Sequence, residues 1–159
     1  MPRAGVHGFS ATALRRTMNR HGVAPDELAE MVGISRQAVS SWLTSATVPS
    51  PTSLARVAEA LGVDVSDLAP TLENTPTLVD LRVRAGLTQT AAAGRLNVGR
   101  TALGEVERGQ RRDMPAGLAD AMCGVYGVSR DEIDSAWDVV REERRVVLAA
   151  RAAARRSRK

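Results

Sequence analysis

Arg36, Gln37, Ser40 and Ser41 fall at helical spacing along one short stretch, "SRQAVSSWL". A guanidinium is a fork of donors, a carboxamide sets a donor beside an acceptor, and a hydroxyl does both, so this group is equipped to bind planar polar edges. Arg100, Thr101 and Glu105 stand 64 residues further on in an equivalent stretch, with Gly104 among them and Arg108, Arg111 and Arg112 just behind. The groups that bond-making needs do not assemble around either set. His7 and His21 are the two histidines, without a cysteine or paired carboxylate at ligand spacing nearby. No phosphate loop, nucleophile elbow or Ser/His/Asp set can be built from the remaining residues. No enzyme activity, metal or cofactor is expected.

The single cysteine, Cys123, excludes an internal disulfide framework, which points to a reducing compartment. It reads as a packed core thiol within an apolar helix over 115–126. No apolar run approaches the length of a membrane span, and the N-terminus lacks the apolar centre of a secretory signal. The expected setting is the cytoplasm, with no membrane partner. Four aromatic residues (two Trp, one Tyr, one Phe) are too few for a stacking platform along single strands. Trp42 reads as core. Charge is uneven: the whole chain carries +4, yet residues 138–159 alone carry +5 by count of their ionisable side chains. A basic extension on a nearly neutral body suits a polyanionic partner, because clustered arginines neutralise phosphates and release counterions.

The elements that would position these side chains occur twice. A shift of 64 residues pairs Ala29 with Ala93, Val32 with Leu96, Ile34 with Val98, Val39 with Leu103 and Trp42 with Val106. After one inserted residue, Gly62-Val63 pairs with Gly127-Val128 and Leu68 with Ile133. Apolar type is kept while polar letters diverge, as expected of two copies of one module. Each copy reads as about five short helices, and no segment alternates like a strand. In copy one these begin with a helix over 13–22 stopped by Gly22 and a second over 25–32 opened by Pro25 and two acids. Gly33 then demands a left-handed turn, for which copy two substitutes Asn97. Ser35 caps the next helix, a task Gly99 does less well; Ser50, Asp64 and Ser129 open later ones. The stretch "APTLENTPT", 69–77, reads as a linker.

A short helix, a tight turn and a capped helix with one polar face make a helix-turn-helix. With two further helices, each copy resembles the Cro/lambda-repressor-like (XRE) family of DNA-binding domains. Copy two carries the fuller signature in "GLTQTAAAGRLNVGRTALGEVERGQRR", 86–112, with Thr88-Gln89, Ala93 and Glu107-Arg108-Gly109. Copy one departs from it at Ala24-Pro25 and at Leu43-Thr44-Ser45, while "VPSPTSLARVAEALGVDVSDL", 48–68, is typical. The expected architecture is therefore all-α: an N-terminal flexible arm (1–10), a first helix-turn-helix domain (11–68), the linker (69–77), a second domain (78–137) and a basic C-terminal helix or tail (138–159).

The resemblance implies double-stranded DNA as the partner and transcription regulation, most simply repression, as the role; a bacterial or phage regulator fits it, associated with the nucleoid when bound. Arg36, Gln37, Ser40 and Ser41 would then face bases or phosphates, with Ala38, Val39 and Trp42 turned inward. Arginine pairs with guanine and glutamine with adenine through two bonds each. In copy two Arg100, Thr101 and Glu105 take this place, and Gly104 would let a sugar-phosphate chain approach closely. Gln89 would fix its helix against the DNA backbone, and Arg108, Arg111 and Arg112 would contact phosphates. Two unlike readers suit an asymmetric or bipartite site: nine linker residues stretch to about 30 Å, against about 34 Å between half-sites on one face of a duplex. The alternative is an antitoxin-like protein, one domain on DNA and the other on a protein. A homodimer or protein partner could use the second domain or the C-terminal helix, where Trp137, Val140, Val147 and Leu148 give a partial apolar stripe.

Overall fold

The computed structural model describes residues 6, 8–70 and 75–157. The chain divides into two compact units, Met1–Leu72 with Val83–Thr88, and Glu73–Arg82 with Gln89–Lys159. Ten helices and no strand occur among the described residues, and none of those helices is long and apolar enough to cross a membrane. The first five are α1 (Ala11–His21), α2 (Pro25–Val32), α3 (Arg36–Leu43), α4 (Pro51–Leu61) and α5 (Val65–Leu68). The second five are α6 (Leu78–Arg84), α7 (Gln89–Arg95), α8 (Arg100–Glu107), α9 (Leu118–Tyr126) and α10 (Arg130–Arg156).

Local chemistry sets these bounds. Ser10, Ser35, Ser50 and Ser129 each accept a hydrogen bond from the backbone N–H three residues on, satisfying a donor that the helix leaves open. Gly99 heads α8 without a side-chain bond. The repeat extends to the cores. Leu14 and Leu78, Leu28 and Ala92, Val39 and Leu103, and Trp42 and Val106 are all buried at a spacing of 64, and Leu54 and Ala119, Val57 and Met122, and Leu68 and Ile133 are all buried at 65. Burying such apolar side chains contributes about 1.5–3 kcal/mol each for the larger ones, so each unit keeps its own core.

Two stretches of the expected division look different in the structure. Val6, within the stretch read as a flexible arm, is 3% exposed and donates to the Pro49 carbonyl at 3.1 Å. The Ser10 N–H bonds the Leu68 carbonyl at 2.9 Å, so Val6 and Ser10 are both tied to the first unit; residues 1–5 and 7 lie outside the described residues. Residues 71–74 of the expected linker also lie outside them, as do 158 and 159. The largest difference is at 137/138, where no break occurs. α10 runs through it for 27 residues, about 40 Å at 1.5 Å per residue. Ile133, Ala136 and Val140 are its buried residues, and Val140 lies against Gly109. Cys123 is half-buried.

The loops after α3 and α8 show how closely the backbones agree. Ser45 has φ +59° and its counterpart Gly109 has φ +64°. Ala46 donates to the Ser41 carbonyl and Gln110 to the Glu105 carbonyl, both at 2.9 Å. A Cβ on Gly109 would lie 2.8 Å from the Val140 carbonyl oxygen, whereas serine is tolerated at the equivalent turn in unit one at a cost of about 1–2 kcal/mol. We expect Ser45→Gly to raise stability in urea unfolding by up to about 1 kcal/mol. Gly109→Ala should lower it by about 1–3 kcal/mol. Equal effects of the two substitutions would contradict this account.

Candidate nucleic-acid interface

Each unit presents one short helix across a left-handed turn. In unit one the turn residue is Gly33, φ +72°, and Ile34 N–H returns to the Ala29 carbonyl at 3.0 Å. In unit two it is Asn97, φ +53°, and Val98 returns to Ala93 at 3.0 Å. The apolar sides of α2 and α3 pack together, as do those of α7 and α8. This leaves one polar face of α3 and one of α8 to solvent.

On α3, Val39 and Trp42 are buried and Ala38 half-buried; Arg36, Gln37 and Ser40 are exposed. Neither Arg36 nor Gln37 has a hydrogen bond or ion pair among the described residues, so both side chains are available to a ligand. Ser41 is half-buried, and its carbonyl receives Ala46 N–H, Thr47 N–H and the Thr44 hydroxyl. It sits at the edge of the face on which Arg36 and Gln37 stand near the helix start.

The α8 face is furnished differently. Arg100 and Thr101 are exposed, but Arg100 Nε donates to Gln89 Oε1 at 3.3 Å. Glu105 is half-buried and accepts from Arg111 Nε at 2.9 Å. Arg108 and Arg112 are exposed. The space at Gly104 is not open to a ligand's backbone: a Cβ there would meet Arg108 Nη1 at 2.8 Å and Gln89 Nε2 at 3.3 Å. Glycine at 104 instead lets those two side chains lie across the helix. Arg111 is held from behind as well, since Arg141 of α10 donates to its carbonyl at 2.6 Å.

Beneath this face lies a buried polar cluster that the sequence reading missed. Glu107 receives Arg82 Nε at 2.5 Å and Gln89 Nε2 at 2.8 Å, and both Arg82 and Glu107 are buried. Gln89 therefore links the buried carboxylate to Arg100 on the surface. Its observed partners are protein groups, and it stands half-buried at the start of α7. Tyr126 is buried nearby, and its hydroxyl has no hydrogen-bond partner among the described residues. Burial foremost, and then the negative charge of Glu107, hold its pKa above the ordinary tyrosine value, with Arg82 pulling the other way. A signal did exist in the repeat. Arg82 replaces Met18 and Glu107 replaces Leu43, two opposite charges entering at positions that copy one fills with apolar side chains.

A helix-turn-helix family model matches residues 14–68, and a helix-turn-helix domain model matches residues 77–136. No curated protein and no solved structure matches the chain.

Removing one partner from a buried ion pair strands the other's charge, which costs about 3–5 kcal/mol, whereas a well-packed apolar replacement of both is often neutral. Arg82→Met alone should therefore destabilise unit two by that amount in urea unfolding. Combining it with Glu107→Leu, the residues of unit one, should recover most of the loss. A double variant no better than the single would show that the pair is more than a substitute for apolar packing.

Proposed function

The chain belongs to the lambda-repressor-like helix-turn-helix family through two tandem domains, which makes it a DNA-binding regulator, and we propose that it acts as a repressor whose α3 and α8 read two different halves of one asymmetric or bipartite duplex site. The observation that carries this reading is the pairing of matched scaffolds with unmatched polar faces: Arg36, Gln37 and Ser40 on one, Arg100, Thr101 and Glu105 on the other. Matched scaffolds hold the helix in a similar way, while side-chain identity selects the base. Arg36 and Gln37 supply two-bond contacts to guanine and adenine. Glu105 accepts from the cytosine amino group, and Arg108, Arg111 and Arg112 engage phosphates, fixing register without sequence information. Covalent linkage raises the effective concentration of the second reader once the first is bound, so two modest contacts give one tight one. Repression by occluding a promoter needs no contact beyond this.

A second reading, antitoxin-like, has one observation in its favour. Arg100 and Glu105 are already engaged by Gln89 and Arg111, so these two side chains meet a ligand only by exchanging those bonds. In that case unit one alone reads DNA and unit two holds a protein partner.

Selection of bound duplexes from a random pool separates the two, since a double reader enriches a long site without two-fold symmetry. Arg36→Ala and Arg100→Ala should each lower affinity for the selected site by roughly 5- to 150-fold, the equivalent of one good two-bond base contact. Each should relax preference at a different base position. Loss confined to Arg36→Ala assigns the reading to unit one alone and retires the bipartite site.

A further inference from the structure

Past residue 140 the long helix changes what it carries on its packed side. Ile133, Trp137 and Val140 lie along that side of α10, with Ile133 and Val140 buried in unit two and Trp137 half-buried. At about 100° per residue the same line continues through Arg144, Arg151 and Arg155. Arg141, Arg145 and Arg156 flank it, so every arginine of 141–156 falls within an arc of about 140°. Glu142, Glu143, Val146 and Val147 lie outside that arc.

Such sorting has a cost. Arg141 with Arg145, and Arg151 with Arg155, are like charges one turn apart, which weakens a helix left alone in water. The first turns of α10 balance their charge instead, Arg130 bonding both Asp120 and Asp134. Arg144, Arg151, Arg155 and Arg156 have no hydrogen bond or ion pair among the described residues. Arg145 pairs with Glu142 at 2.6 Å, an exposed contact that a polyanion can displace. The remaining sides hold alanines, the two valines and the two acids, without the bulky apolar or aromatic residues that seat a basic helix in lipid.

The near end of this arginine side is fixed to the loop after α8. Arg141 Nη1 donates to the Arg111 carbonyl at 2.6 Å, its guanidinium lies 5.8 Å from the Trp137 ring centroid, and Val140 lies against Gly109. Arg111 and Arg112 of that loop are proposed phosphate contacts of unit two. From Arg144 to Arg156 the helix carries the row on by about 18 Å, the length of about five base pairs. We propose that the arginine side of α10 is a further phosphate-binding surface, continuing along the duplex backbone from the loop after α8. The inference rests on the proposed seating of that loop on phosphates, and not on which bases are read.

The test measures binding of the full chain by fluorescence anisotropy across a salt series. One duplex is the site selected from a random pool, the other an unrelated sequence of equal length. The test variant combines Arg151→Ala and Arg155→Ala with Ala150→Arg and Ala153→Arg, which moves two charges out of the arc at constant composition. With its helical circular-dichroism signal retained, it should bind both duplexes about tenfold or more less tightly near 0.15 M salt. The slope of log K against log salt should become shallower by about 1.8, the value for two lost phosphate contacts. The preference between the duplexes should not change. A salt slope equal to that of wild type overturns the inference, because the side of the helix would then be irrelevant. Weakening confined to the selected duplex overturns it as well. So does unaltered DNA binding together with lost binding to phosphatidylserine vesicles, which would give the arginines to a lipid surface. A wild type that prefers neither duplex ends the proposed base reading by α3 and α8, while the slopes on the unrelated duplex still decide the role of α10.

Discussion

Everything presented at the surface of either unit depends on one contact: the buried side of α3 or α8 against the helix before it, across a residue held at positive φ. In unit one Leu28, Ala29 and Val32 face Val39 and Trp42 over Gly33; in unit two Ala92, Ala93 and Leu96 face Leu103 and Val106 over Asn97. A left-handed residue costs glycine nothing and asparagine little, while most side chains would pay about 1–2 kcal/mol there. The angle at which α3 or α8 leaves the body is thus fixed by backbone and core. The outward letters are free to vary without disturbing it.

The two units reach the same packing by different chemistry. Unit one closes with Met18, Leu43 and Leu61, for which unit two has Arg82, Glu107 and Tyr126. Desolvating an arginine and a glutamate is expensive, and their attraction offsets it only when the remaining hydrogen-bonding capacity is used. Gln89 helps to use it by donating to Glu107 from the head of α7. This couples the interior of unit two to its surface, because the carboxamide that satisfies Glu107 also accepts from Arg100. Unit one has Pro25 at that place and no such connection. Its Arg36 is correspondingly unrestrained.

Sequence signals were legible where they are local. The bounds of α2, the capping by Ser35, the left-handed turns at Gly33 and Asn97, and the inward Val39 and Trp42 follow from chemistry within one or two helical turns. What escaped depends on residues brought together from afar. Glycine at 104 reads alone as room for a ligand, and only the fold reveals that Arg108 and Gln89 fill the room. Glu105 reads as a free acceptor until Arg111 is folded back to it. The missing break at 137/138 has another origin: residues 130–156 contain no glycine or proline, and a change from neutral to basic composition does not stop a helix.

The ionic core of unit two has a bearing on the history open to this protein. Tandem duplicates are prone to homogenise when one copy overwrites part of the other. Here a short exchanged tract carrying Met18 without Leu43, or the reverse, would leave a lone charge sealed inside the recipient and cripple its folding. The paired arginine and glutamate therefore form a unit that can be exchanged between the halves only together.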